Sequence, residues 1–270
     1  MVGSRGAGAP AEHVEAHPLR LVAVTHGEPS SANREAVIRL VDGVASARPE
    51  LDVSISFVDA SRSDVAAAAL GADDDAPAVI VPLVLSAGFH VRTGLSLGLD
   101  RRGAARGSAD GVAGATGTGS GTRLAAELGP DDRIVEVLAE RLARLKLADT
   151  DAVVLAAAGS NDPRAVRECF ETARRLGHRL GRSVTVGFIA AAIPRLHDAI
   201  EMIREVHPGV RVVVGSYLLA PGTFYDTAAS VGADAIAEPL LLPGEPAPRR
   251  LVELVLERYD DVAVSRLERA

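Results

Sequence analysis

The feature that most constrains this chain is that it spells out one strand–helix plan twice. From Leu21 a continuous apolar run, LVAVTHG (Leu21 to Gly27), leads into a Pro-Ser-Ser turn and a helical stretch near Asn33–Ala47. Apolar runs return in VSISFV (Val53 to Val58) and AVIVPLVL (Ala78 to Leu85). After residue 150 the plan restarts. DAVVLAAAGSNDPRAVREC (Asp151 to Cys169) parallels RLVAVTHGEPSSANREAV (Arg20 to Val37), and VTVGFIAA (Val184 to Ala191) stands where VSISFVDA (Val53 to Ala60) stood. VRVVVGSYLLAPGTFYDTA (Val210 to Ala228) then parallels AVIVPLVLSAGFHVRTGL (Ala78 to Leu95). A repeat unit with several different elements means duplication of a whole domain, not a short solenoid period.

Short apolar strands alternating with helical segments predict an α/β fold with a doubly wound, mainly parallel sheet in each half. Helices on both faces of such a sheet explain why its strands are continuous apolar runs. The reading divides the chain into a disordered leader at residues 1–19, a first α/β domain at 20–148 and a second at 149–270. The boundary follows the helical stretch Ile134–Leu147. Residues 103–121, rich in Gly, Ala, Ser and Thr without periodicity, read as a flexible insertion in the first domain. Gly117, Gly119 and Gly121 within it lack the preceding strand and following helix that a nucleotide loop requires.

Composition narrows the function. Aromatic residues make up 3% of the chain and Trp is absent, which argues against stacking platforms for bases or sugars. A formal charge of −7 argues against nucleic acid as partner, but leaves room for an anionic small molecule held by local arginines. The single cysteine, Cys169, excludes an intrachain disulfide and a thiolate metal cluster. No run approaches the roughly 18–20 apolar residues of a membrane span, and no secretory signal precedes Leu21, so a cytoplasmic protein is expected.

The duplication allows the halves to be compared position by position. His26 ends the first strand of the first half; its counterpart is Ala158. His90 follows the third strand, in SAGFHV, and its counterpart is Phe224. A lone histidine at a strand end is ordinarily a solvated or capping residue. Two copies of one scaffold share the demands of packing, however, so a residue kept in one copy and lost from the other points to a task needed once. Both histidines fall at the carboxyl ends of strands, where open α/β sheets bind ligands. Imidazole binds a divalent ion or accepts a proton near neutral pH. His13, His17, His178, His197 and His207 receive no such support.

LVAVTHG, together with VPLVLSAGFHVR, resembles the CbiX-type sirohydrochlorin chelatases, class II tetrapyrrole chelatases that act without ATP. The likeness extends through LGPDDRIVEVLAERL (Leu128 to Leu142) and the degenerate second half. It implies two similar domains around a cleft that receives the macrocycle, with His26 and His90 binding the metal and accepting pyrrole protons, and with Ala158 and Phe224 on the opposite wall. The implied enzyme is a ferro- or cobaltochelatase of sirohaem or cobalamin synthesis, with Fe²⁺, Co²⁺ or Ni²⁺ as substrate and no organic cofactor. Imidazole holds these ions without the tight grip of a thiolate cage.

Because sirohydrochlorin is a polycarboxylate, arginines are expected to line the cleft. Arg92 is the first candidate, followed by Arg34 and Arg195. Glu28 is a candidate further ligand. Two departures touch the substrate side: Glu28-Pro29-Ser30 follows the first histidine where the family has Ser and an Asp-Pro-Arg-like turn, and Thr93-Gly94-Leu95 follows HVR. The second half keeps GSNDPR (Gly159 to Arg164). These changes leave open a chelatase for nickel or another tetrapyrrole, and a non-catalytic tetrapyrrole or metal carrier. A sugar-phosphate or nucleotide enzyme ranks last. The sequence is compatible with a monomer or a homodimer.

Overall fold

A computed structural model of the chain describes residues 19–26, 30–58, 77–86 and 122–264. Strand β1 (Arg20–His26) leads to helix α1 (Ser31–Ala47), and strands β2 (Val53–Val58), β3 (Ala78–Pro82) and β4 (Arg123–Leu124) complete a sheet of order β2-β1-β3-β4. After helix α2 (Asp132–Ala143), strands β5 (Ala152–Ala157), β6 (Val184–Phe188), β7 (Val212–Tyr217) and β8 (Ala235–Ile236) form a second sheet of order β6-β5-β7-β8. Helices α3 (Pro163–Leu180), α4 (Leu196–Val206) and α5 (Thr223–Ser230) connect these strands, and α6 (Arg249–Ala263) follows the last. Every strand pairing is parallel, in agreement with the expected doubly wound α/β halves.

The duplication holds to the level of register. Leu21 pairs with Val53 on one side and Val79 on the other; Val153 pairs in the same way with Val184 and Val213. The short outer strands keep the frame, with Val79 opposite Arg123 and Val213 opposite Ala235. The helices also begin as their sequences dictate. The Ser30 side chain accepts a hydrogen bond from the Asn33 N–H at the start of α1, and Asp162 accepts one from the Arg164 N–H ahead of a proline-led α3.

Chain order and packing diverge at the last helix of each half. Helix α6 packs with α1 over the first sheet, through Leu251, Leu254 and Val255 against Leu40, Val44 and the Leu21/Ala23 side of β1. Helix α2 packs instead with α3 beside β7 of the second sheet. Each half thus lends its last helix to the other, and one apolar cluster runs through both. Fixed ties reinforce the exchange. Arg48 makes a two-pronged pair with Asp260 at 2.6 and 2.7 Å, and the buried Tyr259 hydroxyl donates to the carbonyl of Leu19, itself buried.

A second tie involves Asp131, which accepts hydrogen bonds from Arg133 at 2.8 Å on each oxygen and from Arg258 at 3.2 Å. Burial opposes ionisation of Asp131, but the Arg133 side chain and N–H, with the charges of Arg133 and Arg258, outweigh it and hold the carboxyl below the ordinary range. A carboxyl depressed in the folded state stabilises the fold above its unfolded pKa of about 3.9, and that stability is lost as pH falls through the folded value. Stability to urea is therefore expected to decline below about pH 4. Asp131→Asn should flatten this part of the decline, and an unchanged profile in that variant would contradict the assignment.

Candidate active site

Packing across the exchanged helices brings the carboxyl ends of the two sheets together. The Tyr217 hydroxyl, at the end of β7, donates to the Leu85 carbonyl just beyond β3 at 2.9 Å. Burial keeps that phenol protonated far above the ordinary tyrosine range, so it remains a donor. On the other side of the junction, Asn33 in the first turn of α1 donates to the Pro221 carbonyl at 2.8 Å, joining α1 to the loop between β7 and α5. Ser86, the residue after Leu85, meets Cys169 of α3 at 3.9 Å. Burial pushes the Cys169 thiol up to about 11, so it is a neutral packing group at physiological pH.

His26 is the last residue of β1, opposite Val58 of β2, and therefore lies at the carboxyl edge of the first sheet. The register gives it a counterpart without appeal to sequence likeness. With Leu21 matched to Val153, His26 falls on Ala158, one residue past the end of β5. Counted from Val79 and Val213, the position of His90 along the first half is that of Phe224 along the second. His90, Glu28, Arg92 and the glycine-rich stretch 103–121 lie outside the described residues, as do residues 1–18.

The two remaining arginine candidates do lie at these edges. The Arg34 guanidinium sits 4.2 Å from the centre of the Phe57 ring, near the carboxyl end of β2, a cation–π contact that steers an otherwise exposed side chain. Arg195 precedes the first turn of α4, pairs by a bridge with Phe188, and reaches the Ile189 carbonyl at 3.4 Å. Asn33 and Tyr217, which hold the edges together, were not among the residues singled out from sequence. An asparagine in a first helical turn and a tyrosine in a strand look ordinary until the other half is in place.

A different concavity, of about 450 Å³, lies between α2 and α3 and is lined by Asp132, Glu136, Arg174, Arg175, His178 and Arg179. Its charges are already matched: Arg175 with Asp132 at 3.0 Å, Arg179 with Glu136 at 2.7 Å and Arg174 with Glu171 at 2.8 Å. It is a salt-bridged seam between an exchanged helix and its neighbour. No group of three or more His, Cys, Asp or Glu able to hold a metal occurs among the described residues.

Two duplicated all-parallel sheets with exchanged helices define a chelatase-like fold. The CbiX family model matches residues 20–145 and again 152–234, and the chain belongs to that family. SirB from Bacillus subtilis, solved with Fe³⁺, superposes with a TM-score of 0.66 at 17% identity, over 93% of this chain and 98% of that one. CbiX of denitrifying bacteria, described as the terminal enzyme for biosynthesis of siroheme, gives 0.55 at 17% identity, over 88% and 98%. DR2241 from Deinococcus radiodurans, a multi-domain protein with structural similarity to chelatases, gives 0.54 at 19% identity, over 90% of this chain and 55% of that one. No curated protein sequence matches the chain. Among the described residues no helix is long and apolar enough to cross a membrane.

Proposed function

We propose that this protein is a cytoplasmic chelatase that inserts Fe²⁺ or Co²⁺ into sirohydrochlorin without ATP, for sirohaem or cobalamin synthesis. The observation that carries the reading is the family match across both halves, combined with a histidine at the β1 edge that the matching register replaces by Ala158. In the reaction the ion sheds water and takes the pyrrole nitrogens as ligands, while both pyrrole N–H protons leave. His26 and His90 act as neutral imidazoles that hold the incoming ion and, as it passes to the pyrrole nitrogens, use the freed lone pairs to take one pyrrole proton each as general bases. Few protein ligands suit a metal that must be handed on. Glu28 is the candidate additional metal ligand or proton acceptor.

The arginines serve the rim of the macrocycle. Arg34, Arg195 and Arg92 each offer planar N–H donors to a substrate carboxylate. Arg34→Ala and Arg195→Ala are expected to raise the KM for sirohydrochlorin by about tenfold each while changing kcat little, since such contacts are present in ground and transition states alike. Steady-state kinetics across a substrate series separates the two parameters. Unchanged KM in both variants would remove the arginines from the site.

The test of the function itself is anaerobic incubation of the protein with sirohydrochlorin and Fe²⁺, Co²⁺ or Ni²⁺, followed by the change in macrocycle absorbance. Fast insertion of Fe²⁺ or Co²⁺ supports the proposal. Preference for Ni²⁺ would reassign the metal, and absence of insertion with all three would contradict the activity.

A further inference from the structure

The first turn of α1 differs from its sister turn in α3 at three consecutive residues. The two helices align at their caps: the Arg34 N–H donates to the Ser30 carbonyl at the start of α1, and the Val166 N–H donates to the Asp162 carbonyl at the start of α3. Asn33, Arg34 and Glu35 therefore stand where the second half has Ala165, Val166 and Arg167. The strands beneath keep a constant partner. Phe57 lies four residues beyond Val53 in β2 and Phe188 four beyond Val184 in β6, and Val53 and Val184 pair with the matching residues Leu21 and Val153. Val166 packs against the apolar cluster that holds the buried Phe188. An apolar side chain thus satisfies packing at this edge in one half. The other half places a guanidinium there, 4.2 Å from the centre of the Phe57 ring.

The residues on either side of Arg34 both reach the second half. Asn33 Nδ2 donates to the Pro221 carbonyl at 2.8 Å, in the loop before α5. Glu35 Oε1 accepts from the Gly244 N–H at 3.0 Å, in the loop before α6. Neither side chain is repeated in α3: Ala165 is buried and apolar, and Arg167 reverses the charge of Glu35. A first helical turn is where a helix frays, because its N–H groups lack intrahelical acceptors. Ties at positions 33 and 35 hold that turn from both sides of residue 34. They add little to the union of the halves, which rests on the shared apolar cluster and on ties such as Arg48 to Asp260. Their effect is local, on where the turn sits.

We infer that Asn33, Glu35 and Phe57 are positioning residues for Arg34, given the reading above that Arg34 binds a substrate carboxylate. The two ties fix the turn, the ring fixes the guanidinium, and the charge is in place before the substrate arrives. An arginine gives up much rotamer freedom when it binds, and a side chain ordered beforehand lowers that cost. Phe57 lies opposite Thr25, the residue before the end of β1, so the guanidinium is held at the carboxyl edge where parallel sheets take ligands. An aromatic face steers a cation without neutralising it, as a carboxylate partner would. A device present in one copy of the scaffold and absent from the other serves a task needed once, and packing alone is met by Val166.

The experiment is a set of double-mutant cycles on the full-length protein, read as KM and kcat for sirohydrochlorin with Co²⁺, with thermal melting alongside. Asn33→Ala, Glu35→Ala and Phe57→Leu are each expected to raise KM about three- to tenfold, the range for re-ordering one rotamer-rich side chain, with kcat little changed. Glu35 is exposed, so Glu35→Ala reads the effect even where Phe57→Leu weakens the first half. In an Arg34→Ala background the same changes should raise KM no further, because the side chain they position is gone. Wild-type KM in all three single variants, beside an Arg34→Ala protein whose KM rises, would overturn this inference alone. So would an equal rise with and without Arg34, the mark of a purely structural role. An Arg34→Ala protein with wild-type KM would remove Arg34 from the site and its positioning residues with it. A wild-type protein that does not metallate sirohydrochlorin would overturn the proposed function itself.

Discussion

Replacing His26 with alanine is expected to lower the rate of metal insertion by about 10²–10⁴-fold, the range for loss of a positioned general base. The same is expected of His90→Ala. The folded state should be little affected at position 26, because the second half of this protein already carries alanine there: Ala158 follows β5 in the register in which His26 ends β1. Circular dichroism and thermal melting check the fold, and absorbance of the macrocycle checks the rate. A merely solvated histidine would leave the rate unchanged. Because the two imidazoles act together on one ion and on the two protons it displaces, the double variant should be little worse than either single one, as for residues that act as a unit.

Gly129→Ala is expected to destabilise the protein by about 1–3 kcal/mol, the range for overpacking a filled site. A Cβ at residue 129 would fall 2.3 Å from the Tyr217 hydroxyl and 2.4 Å from the Leu85 carbonyl oxygen. Neither neighbour yields easily, since one is a buried phenol in the core and the other is backbone. The added methyl must break the hydrogen bond that joins the end of β7 to the segment after β3, and that segment leads on toward His90. Insertion should therefore slow together with the loss of stability. Tyr217→Phe isolates the hydrogen bond from the crowding and is expected to cost about 1–3 kcal/mol, the penalty for an unsatisfied buried carbonyl. Equilibrium urea unfolding measures both. A Gly129→Ala protein as stable as wild type would contradict the close approach at this junction.

Much of the fold is legible in the sequence because buried parallel strands leave an unmistakable trace. Runs such as LVAV and VVVG are apolar on both faces, and their repetition after residue 150 reveals the duplication before any coordinate is known. The same repetition exposes the contrast between His26 and Ala158, which no single-domain sequence offers. The exchange of α2 and α6 is not legible in that way. The apolar stripe of a helix, Ile134 and Leu138 in α2 or Leu251 and Val255 in α6, says that it must pack but not on which sheet. Strands β4 and β8, only two residues each, are too short to show a period. The clasp from Asn33 to Pro221 joins residues far apart in the chain, so only the assembled halves reveal it.

The most direct test of the central claim is a turnover count. Catalytic amounts of the wild-type protein are mixed anaerobically with excess sirohydrochlorin and Co²⁺ or Fe²⁺, and metallated product is followed by absorbance against a protein-free control. A chelatase that works through His26 forms many equivalents of product per protein, well above the uncatalysed rate, and loses this in His26→Ala. Product or bound macrocycle limited to one equivalent, with the rate of further metallation equal to the control, would contradict it and leave a carrier in place of an enzyme.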